Sequence, residues 1–411
     1  MLDLLKNRSF FIVWLGHAIS SLGNTFSAFS IAYLIYDMTG SKLAMGSIMV
    51  VFFVSRSTSL LWFGPYLDKW DRKKVMIFSE WSGAIVFLFP LIMFSLGSLE
   101  IWHLVAVLGV TGLTVPLYQP SCLAYISQIL PKEKLLKGNS IMDSTGQLMM
   151  LVGPALSGVL LYSFGVKVIL ISLVLLLGIA GALLLFATST SHSQIKEQES
   201  WGTRFKEGIS IYKEHTFLLW LALLLVVLNF CKGAFFPMFL PYITEVIGGT
   251  TFHFGLFESS FGLGMILGTL WVGFKKTNPK HLRTVILGSV IVDGLFSMTL
   301  GWVFTFALAA LCIIVSGFCM PVMTVNNTTL YQKNVPGHLL ARVFSVRILL
   351  TTIATPLGAI SGGAIAELWG IPMLFTLIGL LMIFASSMAF FLPSLRKLNS
   401  VDEKERSVVG I

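Results

Sequence analysis

Residues 166–187 read VKVILISLVLLLGIAGALLLFA, and after Lys167 no residue in this stretch carries a charge. A bilayer core of ~30 Å requires about 20 apolar residues in a helix, so the stretch predicts a membrane-spanning helix. Similar apolar runs flank it on both sides. They cover residues 10–36, 43–67, 75–97, 101–129, 138–163, 216–244, 252–274, 284–303, 304–332, 341–366 and 370–392. In chain order these twelve runs are the first to twelfth spans.

The composition excludes a soluble protein of this size, because 55% of the 411 residues are hydrophobic and only 11% are charged. The net charge of +9 comes from basic residues dispersed over many connections, so we expect no nucleic-acid partner. The expected fold class is an all-α polytopic membrane protein with twelve transmembrane helices.

Lysine and arginine are concentrated in every second connection between spans, and the alternate connections carry only Lys42 and Lys167. Basic connections are retained on the cytoplasmic side. We therefore expect a multi-pass protein of the cell membrane with both termini in the cytoplasm. The first span is too long for the apolar core of a cleavable signal peptide, so we expect it to remain as a membrane anchor.

The two sets of six spans repeat each other along the chain. An offset of 209 residues aligns Gly64 with Gly273, and an offset of 205 aligns Pro116 with Pro321. Because each half has six spans, both halves start on the same side, which predicts a parallel repeat. The predicted domains are an N-terminal bundle at 1–187, a cytoplasmic linker at 188–215, a C-terminal bundle at 216–392 and a cytoplasmic tail at 393–411. The linker is predicted to carry an amphipathic helix, with an extension of the seventh span as the alternative.

Two motifs resemble those of the major facilitator superfamily. Residues 64–74 read GPYLDKWDRKK, which is similar to the G-x-x-x-D-R/K-x-x-R-R/K loop between its second and third helices. Residues 153–158 in the fifth span read GPALSG, which resembles its glycine-rich antiporter motif. The resemblance implies the major facilitator fold, with two parallel six-helix repeats. The alternatives are that Lys73 and Lys74 serve only as topology charges and that Pro154 is only a packing kink.

Further stretches resemble the macrolide-efflux branch of that superfamily, the third drug:proton antiporter family. They lie at 20–24, 36–41, 120–125, 130–133, 205–208, 341–345 and 356–358. The resemblance implies a secondary active transporter that exports a small amphipathic compound of drug or macrolide type. Two departures leave the coupling ion open. The branch usually has an acid where this chain has Asn24, and the fourth span has Thr111 near the position of a usual arginine.

The loop motif implies a gating latch, in which the carboxylate of Asp68 lies at the positive N-terminal end of the eleventh span. The repeat predicts a mirrored latch between Asp143 and the lysines Lys275 and Lys276. The predicted gating residues are Gly64, Asp68, Arg72, Asp143, Gly153, Pro154, Arg342 and Arg347.

Ionisable residues inside spans are costly and therefore functional candidates. Lys232 and Glu258 have compatible depths, which predicts a pair that is either structural or part of proton coupling. Glu258 is the preferred proton-binding residue, with Lys232 and Asp293 as further candidates. The third and ninth helices lie outside the cavity in the implied fold. Asp293 and Glu80 are therefore expected to be structural, and the Glu80 side chain is expected to extend to the membrane interface.

Weakly polar stripes on the spans that line the cavity of the implied fold predict a substrate path, with interhelical hydrogen bonding as the alternative. Arg56 is predicted either to attract an anionic group or to bind carbonyls. The predicted cavity residues are His17, Asn24, Arg56, Thr111, Tyr118, Asn229 and Asn327.

The sequence shows no nucleophile elbow, metal-ligand cluster or phosphate-binding loop, so we expect neither an enzyme nor a cofactor or metal. The four cysteines lie inside spans and are expected to be buried thiols. The expected partners are a small-molecule substrate, membrane lipids and a proton or other coupling ion, and the expected state is a monomer. The alternatives are a lysophospholipid or lipid flippase, a siderophore exporter, and a receptor or scaffold that does not transport.

Overall fold

The structure is a computed structural model that describes residues 4, 6–63, 67, 70–188, 212, 216–274, 281–335 and 337–392. Every regular element among these residues is helical. The first three spans are the helices Arg8–Thr39, Lys42–Phe63 and Arg72–Ser95. The fourth span consists of Ile101–Thr114, a 3-10 turn at Val115–Leu117, and Tyr118–Ile129. The fifth and sixth spans form the continuous element Lys132–Leu185.

The second half of the chain repeats this series of helices. The seventh span comprises Thr216–Phe235, a 3-10 turn at Phe236–Met238, the short helix Phe239–Pro241 and a π-helical turn at Tyr242–Val246. The remaining spans are Thr251–Phe274, Leu282–Leu300, Phe306–Asn334, Gly337–Trp369 and Ile371–Phe391.

Eleven described helices are long and apolar enough to cross a membrane, against twelve predicted spans. The difference lies in the 54-residue element Lys132–Leu185. At 1.5 Å per residue it would measure ~80 Å, far more than a ~30 Å bilayer core requires. Gly165 interrupts it with φ 79° and ψ −178°, a conformation that an L side chain rarely adopts. The element is therefore two spans joined at Gly165, and the predicted all-α polytopic class is confirmed.

Proline explains the breaks in the fourth and seventh spans. Proline has no backbone N–H, and its ring clashes with the carbonyl four residues earlier. Pro116 lies in the 3-10 turn of the fourth span, and Pro237 lies in the corresponding turn of the seventh. Pro321, which the repeat aligns with Pro116, instead remains inside the continuous tenth helix. The repeat therefore conserves helix order more closely than local backbone geometry.

The third span begins earlier than its apolar residues indicate. Asp71 is its N-cap, and the carboxylate accepts hydrogen bonds from the backbone N–H groups of Lys73 and Lys74 at 2.9 and 3.3 Å. The Lys73 ammonium donates to the carbonyls of Leu185 and Ala187 at 2.8 and 2.6 Å, at the C-terminal end of the sixth span. A cation stabilises that negative end of a helix. Lys73 is therefore a structural contact in addition to a topology charge.

The chain divides into two compact units. The first unit comprises residues 1–197 and 243–259, and the second comprises 198–242 and 260–411. In the first unit, the first span packs against the fifth–sixth element, and the third packs against that element and the fourth. In the second unit, the seventh span packs against the eleventh, and the ninth packs against the tenth and twelfth. Both units thus use the same helix pairs, as an internal repeat requires.

Glycines allow the closest of these contacts. A Cβ at Gly153 in the fifth span would lie 2.0 Å from the Thr25 hydroxyl oxygen in the first span. A Cβ at Gly233 in the seventh span would lie 2.1 Å from the Thr355 carbonyl oxygen in the eleventh. Any larger residue would force these helices apart, because small residues are what let two backbones approach inside a membrane.

Several predictions concern residues outside the described part of the chain. These include Gly64 and Asp68 of the loop motif, the lysines of the mirrored latch, the linker from 189 to 211 and the tail from 393. The backbone of Arg342 is described as helical, but its side chain lies outside the described set. The two latches and the predicted domain limits remain predictions.

Candidate substrate and coupling sites

A buried acidic cluster lies inside the first unit, where the first, third and fourth spans meet. We call it the Glu80 cluster, and its members are Glu80, Ser20, Asn24, Thr111 and Tyr118. Ser20 Oγ donates a hydrogen bond to Glu80 Oε1 at 2.6 Å, and Asn24 Nδ2 donates to Ser20 Oγ at 3.4 Å. The Glu80 side chain is only 3% exposed, and among the described residues its Oε2 atom has no hydrogen-bond partner. Asn24, Glu80, Thr111 and Tyr118 line one small cavity.

This geometry corrects one sequence prediction. Glu80 was expected to extend to the membrane interface, but its carboxylate is buried and accepts a hydrogen bond from the first span. The helix turns this side chain inward, toward the polar stripe of Ser20 and Asn24. A carboxylate loses its hydration on burial and gains stability only where donors face it, and Ser20 is such a donor.

Three of the predicted cavity residues that surround this cluster are buried. His17 stacks on Tyr118 with ring centroids 6.0 Å apart and an interplanar angle of 10°. The Thr111 hydroxyl donates to the Val107 carbonyl of its own helix at 2.7 Å. Their side chains are between 4% and 8% exposed. The fold thus brings together residues that were predicted from separate stripes.

A second buried acid lies in the second unit, in a cavity between the seventh, ninth, tenth and twelfth spans. We call it the Asp293 cluster, and its members are Asp293, Lys232, Cys231, Ser297 and Ser316. Ser316 Oγ donates to Asp293 Oδ1 at 2.5 Å, and Asp293 is only 6% exposed. Lys232 lines the same cavity as Asp293. Asp293 was expected to be structural, and the structure gives it a cationic neighbour.

The predicted pair of Lys232 and Glu258 divides between the two units, so it remains a prediction. Glu258 is half-buried in the first unit. Among the described residues it makes neither a hydrogen bond nor an ion pair. Within the second unit, Lys232 lines the same cavity as Asp293.

Each cluster has its acid on the third helix of its half, although the 209-residue offset aligns Glu80 with Ser289 and not with Asp293. Glu80 is on the third span and Asp293 on the ninth, which are the third helices of the two halves. The 205-residue offset aligns Thr111 in the fourth span with Ser316 in the tenth. Each acid therefore faces a hydroxyl-bearing position on the fourth helix of its own half. Only the acid in the second unit has a lysine beside it.

An aromatic cluster holds Arg347 in the second unit. Its guanidinium carbon lies 4.3 Å from the ring centroid of Phe344 and 5.0 Å from that of Tyr331. Arg347 Nη1 also donates to Asn327 Oδ1 at 3.4 Å. Asn327 is 1% exposed, and its Nδ2 atom has no partner among the described residues. The predicted gating role of Arg347 is untested, because Asp68 lies outside the described residues.

Two further predicted cavity residues are less buried. Asn229 is half-buried, and its side chain donates to the Leu225 carbonyl of its own helix at 2.8 Å. Arg56 is exposed on the second span, and no hydrogen bond or ion pair from it is seen among the described residues. Both predicted roles of Arg56, attraction of an anionic group and binding of carbonyls, remain predictions.

The glycine-proline motif of the fifth span packs against the start of the eighth helix, within the first unit. The Ala155 N–H donates to Ser259 Oγ at 3.0 Å. A Cβ at Gly255 would lie 2.4 Å from the Pro154 carbonyl oxygen and 3.0 Å from Gly158 Cα. The motif therefore provides a close helix contact. Ser259 and Gly255 were not predicted as part of it, although the repeat aligns Gly255 with Gly46.

An ion pair joins the start of the second span to the end of the seventh, again within the first unit. Lys42 Nζ lies 2.8 Å from Glu245 Oε2, and the two side chains are 17% and 38% exposed. The Tyr36 hydroxyl donates to the other carboxylate oxygen of Glu245. The sequence offered one signal for this contact, because Lys42 is one of only two basic residues in the alternate connections. Asp143, by contrast, is exposed, and its predicted partners are undescribed.

A larger cavity of about 660 Å³ lies between the second, third and fourth spans, away from both acidic clusters. It is lined mainly by apolar and aromatic side chains, with Asp71 and Lys74 as its charged residues. Its size alone does not make it the functional site, because the buried acids and the convergent polar groups lie elsewhere. Its chemistry suits an acyl chain better than a proton or a polar substrate.

The described cysteines, Cys122, Cys231, Cys312 and Cys319, are free and buried, as predicted. No group of three or more His, Cys, Asp or Glu residues in the described ranges could hold a metal ion.

Helix order, the repeat and the buried intramembrane charges together define a polytopic transporter. Residues 13–358 match the Major Facilitator Superfamily, and the chain belongs to that superfamily. It resembles the macrolide-efflux branch, since it is 23% identical over 400 residues to Macrolide efflux protein A of Streptococcus pyogenes. That match covers 95% of this chain and 97% of the relative. The chain is also 26% identical over 418 residues to the MFS-type transporter YvqJ of Bacillus subtilis (strain 168), covering 99% and 98%.

Solved structures agree on the fold. A bacterial homologue of the human lysosomal transporter Spinster, in an inward-facing and unoccupied conformation, matches with a TM-score of 0.76 at 11% identity. The match covers 95% of this chain and 97% of that one. A bacterial homologue of the iron transporter ferroportin, in an inward-facing state, matches with a TM-score of 0.68 at 17% identity, covering 97% and 99%. At these identities the likeness shows the fold alone.

Proposed function

We propose that this transporter exports a small amphipathic compound of macrolide type by alternating access, driven by proton entry. The observation that carries the proposal is the similarity to Macrolide efflux protein A, which extends over 95% of the chain. That relative's name supplies the substrate class. Superfamily membership supplies alternating access, in which two helical repeats move about a central site.

The chemistry of the described spans supports an amphipathic substrate. Sites for such compounds combine apolar and aromatic walls with a few convergent polar groups. Tyr118 and His17 offer stacked rings, and Asn24 and Thr111 offer polar groups beside them. Asn229, Asn327 and Arg56 remain further candidates on other spans.

Proton coupling is proposed because no nucleotide-binding motif occurs in the sequence and several spans carry ionisable residues. Glu258, Lys232 and Asp293 are the candidates that follow from the sequence. We further propose that the transporter lies in the cell membrane as a monomer with both termini in the cytoplasm. Its partners would be substrate, lipid and proton, without nucleic acid.

Reconstitution tests this proposal directly. Purified protein in proteoliposomes receives an imposed pH gradient, and three radiolabelled probes are offered in turn: a macrolide, a lysophospholipid and an iron-free siderophore. Macrolide accumulation that a protonophore abolishes is the expected result. Empty liposomes and de-energised proteoliposomes are the controls.

Each alternative predicts another outcome. Movement of lysophospholipid between leaflets without macrolide flux would indicate a flippase, and siderophore flux alone would indicate a siderophore exporter. Macrolide flux at the same rate with and without the pH gradient would contradict proton coupling but would still support macrolide export. Absence of flux for every probe, from protein that still unfolds cooperatively, would favour a receptor or scaffold.

A further inference from the structure

The Glu80 cluster contains a buried acid, and no lysine or arginine among the described residues lines its cavity. Glu80 is only 3% exposed, and one carboxylate oxygen accepts the hydrogen bond from Ser20. The other oxygen has no partner among the described residues. An ionised carboxylate needs several donors or a cation to offset the loss of its hydration. One serine does not provide that compensation.

The groups that face Glu80 from each packed element are neutral. The first span contributes Ser20 and Asn24, and the fourth contributes Thr111, Tyr118 and Cys122. The sixth span contributes the apolar Leu177. The His17 imidazole stacks on the Tyr118 ring and is not among the residues that line the cavity around Glu80. No lysine or arginine lines this cavity in the described part of the chain.

The acid on the ninth span has a different environment. Asp293 accepts a hydrogen bond from Ser316 at 2.5 Å and shares its cavity with Lys232. A neighbouring cation stabilises an ionised carboxylate. One half of the chain therefore holds an acid with no lysine or arginine lining its cavity in the described ranges, and the other holds an acid that shares its cavity with a lysine.

We propose that Glu80 is the proton-binding residue of this transporter. Uptake of one proton converts the Glu80 carboxylate to a neutral carboxylic acid, and release returns the proton to water. The transport role of Glu80 rests on the proposed function, whereas its proton binding does not.

Infrared difference spectroscopy between acidic and alkaline pH tests the proton site without transport. The wild-type protein in lipid should show a carboxylic acid C=O stretching band from a buried group. Glu80→Gln should remove the band, whereas Glu258→Gln and Asp293→Asn should retain it. Ser20→Ala should shift its frequency, because the Ser20 hydroxyl donates to this carboxyl group. Loss of the band in Glu258→Gln with retention in Glu80→Gln would overturn the proposal, even if the other variants fold poorly.

Transport then tests the role of that proton. Glu80→Gln should lose accumulation driven by a pH gradient at least tenfold and should retain substrate counterflow, which needs no net proton movement. The matched control is Glu100→Gln, at the exposed connection beyond the same span, which should accumulate substrate normally. Full gradient-driven accumulation by Glu80→Gln would overturn the role in transport. A wild-type protein with the Glu80 band but no gradient-driven accumulation would reject the proposed coupling and leave the proton site standing.

Discussion

Substitution of Gly255 by alanine should separate the eighth helix from the fifth span. The new Cβ would lie 2.4 Å from the Pro154 carbonyl oxygen, whereas carbon contacts are comfortable at ~3.5 Å, so the helices must part by about 1 Å. Overpacking of this kind costs about 1–3 kcal/mol. Alanine regains up to ~1 kcal/mol through its higher helix propensity. Gly273→Ala is the matched control, because the same helix has no described heavy atom within 4 Å of that position.

Both variants gain the helix propensity of alanine, so the difference between their stabilities measures the cost of the clash at Gly255 alone. A cost of about 1–3 kcal/mol corresponds to a shift of about 5- to 150-fold in any equilibrium that breaks this contact. Spin labels at the exposed Tyr162 and Thr250, both in the first unit, would report the separation as longer distances in electron paramagnetic resonance. Gly273→Ala should leave those distances unchanged. Identical distances and thermal stability in both variants would refute the reasoning.

Two smaller effects should also be measurable. A double-mutant cycle with Lys42→Ala and Glu245→Ala should give a coupling energy of about 0.2–1 kcal/mol, because the pair is partly exposed, and high salt should remove it. Strict additivity at low salt would show that the pair contributes nothing. Arg347→Lys should lower the free energy of unfolding by about 0.5–2 kcal/mol, because lysine lacks the planar guanidinium that lies over Phe344 and Tyr331. An unchanged denaturation midpoint would contradict that contribution.

The helical spans were predictable because the bilayer fixes their length, but their ends were not. The third apolar run begins at Val75, whereas its helix begins at Arg72, because Asp71 provides the N-cap. The fifth run begins at Gly138, and its helix begins six residues earlier at Lys132. Hydropathy records which residues contact lipid, and it does not detect the polar first turn that extends beyond the membrane.

The acidic clusters show a different limit of sequence reasoning. Periodicity placed Ser20 and Asn24 on one face of the first span, and the structure gathers them around one acid. Periodicity did not reveal that the Glu80 side chain points toward that face, because the rotation of the third span about its axis depends on the helices packed against it. Likewise, depth alone did not reveal that Lys232 and Asp293 line one cavity. The depth of a residue in the membrane can be read from the sequence of its own helix, whereas the direction of its side chain depends on how all the helices of the bundle pack.

A proton at Glu80 can drive transport only if its affinity differs between conformations, since equal binding to two states shifts neither. The first span provides a physical basis for such a difference. It donates the Ser20 hydrogen bond to Glu80, packs Thr25 against Gly153, and stacks Phe29 on Phe254 of the eighth helix at 4.6 Å. A displacement of the first span that breaks the contact at Phe254 would also move Ser20 relative to the acid. Proton affinity at Glu80 and this helix contact would then be linked through one span, and such linkage is reciprocal.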